Sequence, residues 1–423
     1  MKRNLFFIMV AMAGFLSGCS DYRTETVEYM VNEPVFMAAD EFRRIEIKTK
    51  SAQQIKVQGK ICFYNGYLYI SEPGEGIHVI DNRDPRQPKA VGFVELDGNT
   101  DISIRNDKLY ADSYVDLLWF NLINPGAPEY ANRLEDVFEQ ALPAIDNEYG
   151  IDYEKIYNAE RGKNIIVGWT VQKRKETYMI YTGRDKDMVM EAAPTSPGTN
   201  VSSGGQGVNG SMSRFSLYKD YMYAVINNYM SIFDLSQAEP VKAVDNLYIG
   251  WDVETIFSYG ENMFMGTPTG LVIFSVENPL KPEYMSAITH VFGCDPVVVE
   301  DDIAYVTVHS GNFCGQNANE LLIIDVKDVK HPNHIVTYSM KKPKGLGIDN
   351  GTLFVCDDGL KIFNAADPQT IMANRLAHYS GMEGYDVIPF NNVLMMIAED
   401  GLYQYDYSDL GKINQISKIK IGK

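Results

Sequence analysis

Gly270-Leu271-Val272-Ile273-Phe274-Ser275-Val276-Glu277-Asn278-Pro279-Leu280-Lys281-Pro282 is an apolar run of strand length followed by a polar turn with two prolines. The phrase recurs along the chain. Gly76-Ile77-His78-Val79-Ile80-Asp81 leads into Asp84-Pro85-Arg86-Gln87-Pro88, and Leu117-Leu118-Trp119-Phe120-Asn121 leads into Asn124-Pro125 and Pro128. Further copies are Met230-Ser231-Ile232-Phe233-Asp234, Leu321-Leu322-Ile323-Ile324-Asp325, Leu360-Lys361-Ile362-Phe363-Asn364 and Leu402-Tyr403-Gln404-Tyr405-Asp406. The last residue of each run falls at 81, 121, 234, 275, 325, 364 and 406, so the steps are 40, 113, 41, 50, 39 and 42.

A unit of about 40 residues is the period of a β-propeller blade. Each unit reads as four strands, with the quoted phrase as the third. Strands one and two are joined by residues that tolerate a tight hairpin: Asn65-Gly66, Asn106-Asp107, Lys219-Asp220, Asp349-Asn350-Gly351 and Asn391-Asn392. The Asp or Asn that ends strand three can cap the following turn with its own side chain. The expectation is an all-β, seven-bladed β-propeller of four-stranded blades over 37–423. Seven units close a ring and leave no long sheet edge.

Two steps are long. The step of 50 holds an extra loop from His309 to Glu320. The step of 113 holds an insertion near Val137–Gly210, between the second and third units. Within it, Ile165–Trp169 and Thr177–Tyr181 flank Lys173-Arg174-Lys175-Glu176, which reads as a β-hairpin. A degenerate eighth blade is the alternative. The Ser202–Gly207 tail reads as a flexible linker. Before the first unit, Met37–Arg44 could form two helical turns and Ile45–Lys48 alternates like a strand.

A net charge of −18 argues against a nucleic-acid partner, which needs a basic face. Met1-Lys2-Arg3, the apolar run Leu5–Leu16 and Leu16-Ser17-Gly18-Cys19 form a signal peptide over 1–18. The last four residues resemble the bacterial lipobox, which implies cleavage before Cys19 and its lipidation; several acyl chains make such an anchor stable. Residues 19–36 then read as a polar, lipidated tether. The expected address is the outer membrane or cell surface, with the membrane as one partner.

The strand-three phrase and its Asp-Pro turn resemble the LVIVD repeat, and the chain resembles the LVIVD-repeat β-propeller lipoproteins of Bacteroidetes. Gly74–Asp81, Leu109–Tyr114, Cys294–Val299, Gly345–Asp349 and Glu399–Asp406 carry the match. The resemblance implies a propeller and little about activity.

No phosphate-cradling Gly-x-x-x-x-Gly-Lys, Cys-x-x-Cys, His-Glu-x-x-His or Gly-x-Ser-x-Gly sequence is present. Superposing the units puts Lys60, Asp101, Arg214, Thr255, Asp295, Gly345 and Asp386 at one position, the start of strand one at the mouth of a central channel. Polar groups there need water or partners. They could bind a small molecule or a cation, or Lys60 and Arg214 could satisfy the aspartates in a hydrated channel. His290 and His309 fall near the same rim, where two histidines with aspartates could hold a metal; ordinary surface residues are the other reading. No cofactor and no metal site is assigned.

The leading functional reading is a non-catalytic binding or scaffold module that uses its loop-decorated face toward an envelope protein or glycan. The alternatives are a glycan- or lactone-directed hydrolase or lyase with an Asp-lined mouth, and a structural subunit of an envelope complex. An exported protein meets an oxidising compartment. Cys294 and Cys314 map to the same face of one unit and are expected to pair, with free thiols as the alternative. Cys62 and Cys356 read as small core residues in separate blades.

Overall fold

The computed structural model describes residues 22–139, 141–146, 148–159, 162–181, 199–200, 208–289, 296–309 and 318–422. Cys19, Cys294, Cys314, His290 and Asp295 lie outside them, and so does the Ser202–Gly207 tail. The chain forms two compact units, the smaller built from residues up to Pro34, Ile145–Asn158 and Trp169–Pro194.

The large unit is all-β and is built from consecutive four-stranded antiparallel meanders, the architecture of a β-propeller. The first meander runs Ile61–Tyr64, Tyr67–Glu72, Gly76–Asp81 and Lys89–Glu95, and the second Ile102–Arg105, Lys108–Ser113, Asp116–Asn121 and Glu129–Leu134. The third is Phe215–Tyr218, Tyr221–Ile226, Tyr229–Asp234 and Val241–Tyr248, and the fourth Thr255–Tyr259, Asn262–Thr267, Gly270–Ser275 and Glu283–Thr289. Three more begin at Val297, Leu346 and Gly384. The first strand of each meander lies beside the first strand of the next, and that of the Gly384 meander lies beside Ile61–Tyr64.

Local chemistry explains the repeat. Asn65 and Gly66, Asn106 and Asp107, Asp301 and Asp302, and Asn391 and Asn392 all take positive φ, as a two-residue hairpin demands. After strand three, paired side chains cap the turn. Asp81 Oδ1 accepts from Arg83 N and Asp84 Oδ1 from Arg86 N; Asp325 and Asp328, Asn364 and Asp367, and Asp406 and Asp409 repeat the pattern. Strand four then carries a bulge against strand three in every meander, as between Val79 and Ile80 or Ile273 and Phe274.

Apolar cores sit between neighbouring sheets. Tyr69, Ile77 and Val79 of the first meander pack on Ile102, Leu109 and Phe120 of the second, and Ile388 and Ile397 of the last pack on Ile61 and Leu68 of the first. Cys62 and Cys356 are buried free thiols, as expected. Each junction also carries a polar bridge, from a side chain of one meander to a carbonyl in the strand-three-to-four turn of the next. Tyr69 Oη donates to Pro125 O (2.9 Å), Lys108 Nζ to Ala238 O and Tyr223 Oη to Pro279 O (3.0 Å). Ser286 Oγ donates to Val329 O (2.6 Å), Tyr338 Oη to Pro368 O (3.3 Å), Tyr379 Oη to Ile413 O (2.7 Å) and Ser417 Oγ to Pro85 O (2.7 Å).

The segments before and within the repeat differ from expectation. Ala39–Phe42 is a single helical turn, and Lys48–Lys50 joins the outer edge of the first meander. The described part of the expected tether, 22–36, lies in a long strand, Tyr22–Ala38. Asn164–Tyr181 is one continuous strand in the same sheet, rather than a hairpin. Lys173-Arg174-Lys175 does not turn because acids face each charge within the small unit: Lys173 and Lys175 meet Glu28 (2.5 and 3.4 Å) and Arg174 meets Glu33 (3.6 Å). In the same unit Gly150–Ile151 pairs parallel with Val31–Asn32, and the buried Asn32 Nδ2 donates to Asp146 O and Tyr149 O, both at 2.8 Å.

Tyr69→Phe and Tyr223→Phe each remove one bridge and leave a turn carbonyl without its donor. Each is expected to lower stability by about 1 kcal/mol, read as a shift in the urea midpoint with unchanged circular dichroism. An unshifted midpoint in both would show that the bridges contribute nothing.

Candidate functional site

The candidate site is the start of strand one, where each meander turns into the ring interior. Lys60, Asp101, Arg214 and Gly345 do occupy one register position: their carbonyls accept from Ser71, Asp112, Val225 and Cys356 N. Thr255 pairs with Gly266 and Asp386 with Ile397 in the same register. In the fifth meander the carbonyl that accepts from Thr307 N belongs to Pro296. The hairpin register thus gives the shared position to Pro296, while Asp295 lies outside the described residues.

This position is not an open mouth. Asp101 and Asp386 are fully buried, and Lys60, Arg214 and Thr255 are nearly so. The chain's own segment Val208–Arg214 fills the interior. Val208–Asn209 pairs antiparallel with Phe63 and Cys62 and so extends the first meander inward. Gly210 N donates to Ile61 O (3.2 Å) and Asn209 Nδ2 to Ile102 O (3.1 Å). Asp386 takes the next two residues. Its carboxylate accepts from Ser211 N (3.0 Å), Ser211 Oγ (2.9 Å), Met212 N (3.1 Å) and Val387 N (2.9 Å). Ser211 Oγ also accepts from Leu346 N (2.9 Å). Lys60 Nζ donates to Met212 O.

Only glycine fits at the closest approach. A Cβ at Gly210 would sit 2.0 Å from Asp386 Oδ2, and one at Gly345 would sit 2.4 Å from Asp386 Oδ1. Asp101 closes the other end of the segment. It accepts from Arg214 N and from Ile102 N (2.8 Å), and Arg214 Nε lies 4.0 Å away. Arg214 Nη2 reaches Asp112 Oδ2 (3.2 Å), and Asp112 Oδ1 accepts from Thr100 N (2.7 Å), Asp101 N (2.8 Å) and Asn99 Nδ2 (3.0 Å).

The structure thus joins Asp101 to Arg214, and Lys60 and Asp386 to Met212. Arg214 meets Asp101 and Asp112, as the charge pairing anticipated, whereas Lys60 and Asp386 take backbone groups of residues 211–212. Gly210, Ser211, Met212 and Asp112 were missed. The signal for the first three is the short Gly- and Ser-rich run Gly210-Ser211-Met212-Ser213 just before a strand; Asp112 has no such signal. His309 is described and partly buried. Another buried carboxylate, Asp116, is also structural: Arg43 binds it through two nitrogens (3.0 and 2.8 Å) and Arg133 through one (3.1 Å), which ties the Ala39–Phe42 turn to the second meander.

No family model and no curated protein matches the sequence. Solved structures do match along most of the chain. The periplasmic gluconolactonase PpgL of Pseudomonas aeruginosa is 10% identical, over 89% of this chain and 97% of that one, with a TM-score of 0.52. The computationally designed Ika8 protein is 8% identical over 88% and 89% (TM-score 0.47), and Hsv2 of Kluyveromyces lactis 8% over 89% and 100% (TM-score 0.46). At 10% identity the likeness to PpgL is one of fold alone.

Burial pushes the carboxyls of Asp101 and Asp386 from 3.8 up to about 6. A carboxyl that holds its proton more tightly in the folded chain contributes most stability below its unfolded value, and that contribution is lost as pH rises toward the folded one. Wild-type stability should therefore carry a falling component between about pH 4 and 6. Asp101→Asn cannot titrate and should remove part of that slope. Urea unfolding of both proteins across the range checks this; parallel curves would contradict it.

Proposed function

We propose that this chain is a lipid-anchored, seven-bladed β-propeller of the bacterial cell envelope, similar to the LVIVD-repeat lipoproteins. In this reading it works as a non-catalytic binding module through the face that carries its insertion. The cyclic neighbourhood of the first strands supports seven blades. Pairing of Asn164–Tyr181 with Tyr22–Ala38 speaks against an eighth blade in the insertion. The lipobox-like Leu16-Ser17-Gly18-Cys19 supports the anchor.

One observation carries the choice of binding over hydrolysis. Two aspartates of the expected Asp-lined mouth, Asp101 and Asp386, are fully buried, and they accept hydrogen bonds from the chain's own backbone. A general acid or base must come within hydrogen-bond reach of the substrate. Asp101 and Asp386 instead hold residues 211–214 in place. Fold likeness to a gluconolactonase does not carry its activity over, since function belongs to the site rather than the fold.

Purified protein is expected to leave the hydrolysis of gluconolactone at its uncatalysed rate. Turnover that disappears in Asp101→Asn and Asp386→Asn variants of unchanged circular dichroism would replace this reading with the hydrolase. In the same cells, Cys19→Ser should move the protein out of the membrane fraction, and equal retention would remove the anchor from the proposal.

A further inference from the structure

Each meander is drawn from one continuous stretch of chain, so among the described residues the last meander and the first share no strand. The seam between them must be held by other contacts. Side-chain bonds cross it toward strands three and four: Asn82 with Gln404, and Ser417 Oγ to Pro85 O. At strand one the polar contacts run through residues 208–214 instead.

These residues come from between the second and third meanders, yet they touch both sides of the seam. Val208–Asn209 pairs with Phe63 and Cys62 of the first meander, and Lys60 Nζ donates to Met212 O. Asp386 of the last meander accepts from Ser211 N (3.0 Å), Ser211 Oγ (2.9 Å) and Met212 N (3.1 Å). Leu346 N of the sixth meander donates to Ser211 Oγ (2.9 Å), and Asp101 of the second accepts from Arg214 N. One short segment thus meets the first, second, sixth and last meanders and leads straight into the third at Phe215.

A segment that only filled space would be apolar and bulky. This one is Gly210-Ser211-Met212-Ser213, and it acts through hydrogen bonds. The fit is close, since a Cβ at Gly210 would sit 2.0 Å from Asp386 Oδ2. Asp386 is fully buried and depends on these donors, because a buried carboxylate without them is costly. In chain order the first and second meanders precede the segment. Asp386 belongs to the last meander and supplies the contact that completes the circle.

We propose that residues 208–214 are an internal clasp, which closes the ring at the seam between the last and first meanders in place of a shared strand. The insertion ends in this clasp, so its return path is part of the closure of the ring. The inference concerns closure and is independent of the binding-module reading.

Hydrogen–deuterium exchange of the full-length protein tests it, with Gly210→Ala and Ser211→Ala as variants. The reporters are Tyr67–Glu72 and Val393–Ala398, the second strands on either side of the seam, which pair with strand one rather than with the clasp itself. Their amides should exchange about tenfold faster in both variants. Asn262–Thr267 and Ile303–Val308, beside the seam of the fourth and fifth meanders, should keep their wild-type rates. Tyr223→Phe, which removes a bridge to the fourth meander, is the control and should leave both reporters unchanged. If Gly210→Ala does not fold, Ser211→Ala alone carries the test. Faster exchange confined to residues 208–214 and their direct partners would overturn the clasp. So would an equal rise at every seam, or wild-type rates throughout.

Discussion

Each sheet hands its neighbour one hydrogen bond at the turn after strand three. That turn ends a ladder, so the carbonyl it shows the neighbour, such as Pro125 O or Pro85 O, lies outside the strand pairing. A tyrosine, serine or lysine of the preceding meander supplies the donor at each junction, from Tyr69 on Pro125 to Ser417 on Pro85. The proline of the Asp-Pro phrase has no N–H and a fixed φ, so the turn presents its carbonyl outward and competes for nothing. The repeated phrase is therefore an acceptor site for the neighbour as well as a turn. Closure follows the same rule. Ser417 reaches back to the first meander, where Asn82 and Gln404 also exchange two amide hydrogen bonds at 2.9 and 2.6 Å while fully buried.

The ring interior sets a second constraint. The strand-one starts of the meanders converge there, and Lys60, Asp101, Arg214 and Asp386 carry charge. A buried carboxylate without donors costs several kcal/mol. The chain meets that cost with itself: residues 210–214 bring their backbone N–H groups to Asp386 and Asp101, and their carbonyl at Met212 to Lys60. Two glycines, Gly210 and Gly345, make room for Asp386 from opposite sides. The interior is thus a folded polar core, and the carboxylates that looked available for chemistry are part of its structure.

Much of this was legible because it is periodic. The strand-three phrase fixed the unit length, the Asn, Asp and Gly pairs fixed the hairpins, and Cys62 fell within an apolar strand and Cys356 just after one, where a small thiol is simply buried. What was not legible is non-local. Ser211 and Asp386 are 175 residues apart, and no local pattern links them. The slip from Pro296 to Asp295 has a smaller cause. Counting residues from an apolar landmark slips by one when the landmark is not at the same register, and here the hairpin pairing of Glu300 with Ile303 sets the register. The long strand Asn164–Tyr181 was hidden for a different reason: a run of four charged residues reads as a turn unless the acids of the facing strand are known.

A repeat also makes its own exceptions visible. Every meander carries the bulge near the strand-three end, so that bulge belongs to the curvature of the sheet. A second break only in the third meander is not needed for curvature, since the other described sheets manage without it. It carries a cost, because Asn246 holds a positive φ inside a strand where most residues avoid it. Burial does not repay that cost, as Tyr248 two residues on is largely exposed. The break does one visible thing: it sets the Asn246 amide beside the Ser231 hydroxyl, next to the first stretch of the insertion at Val137–Glu139.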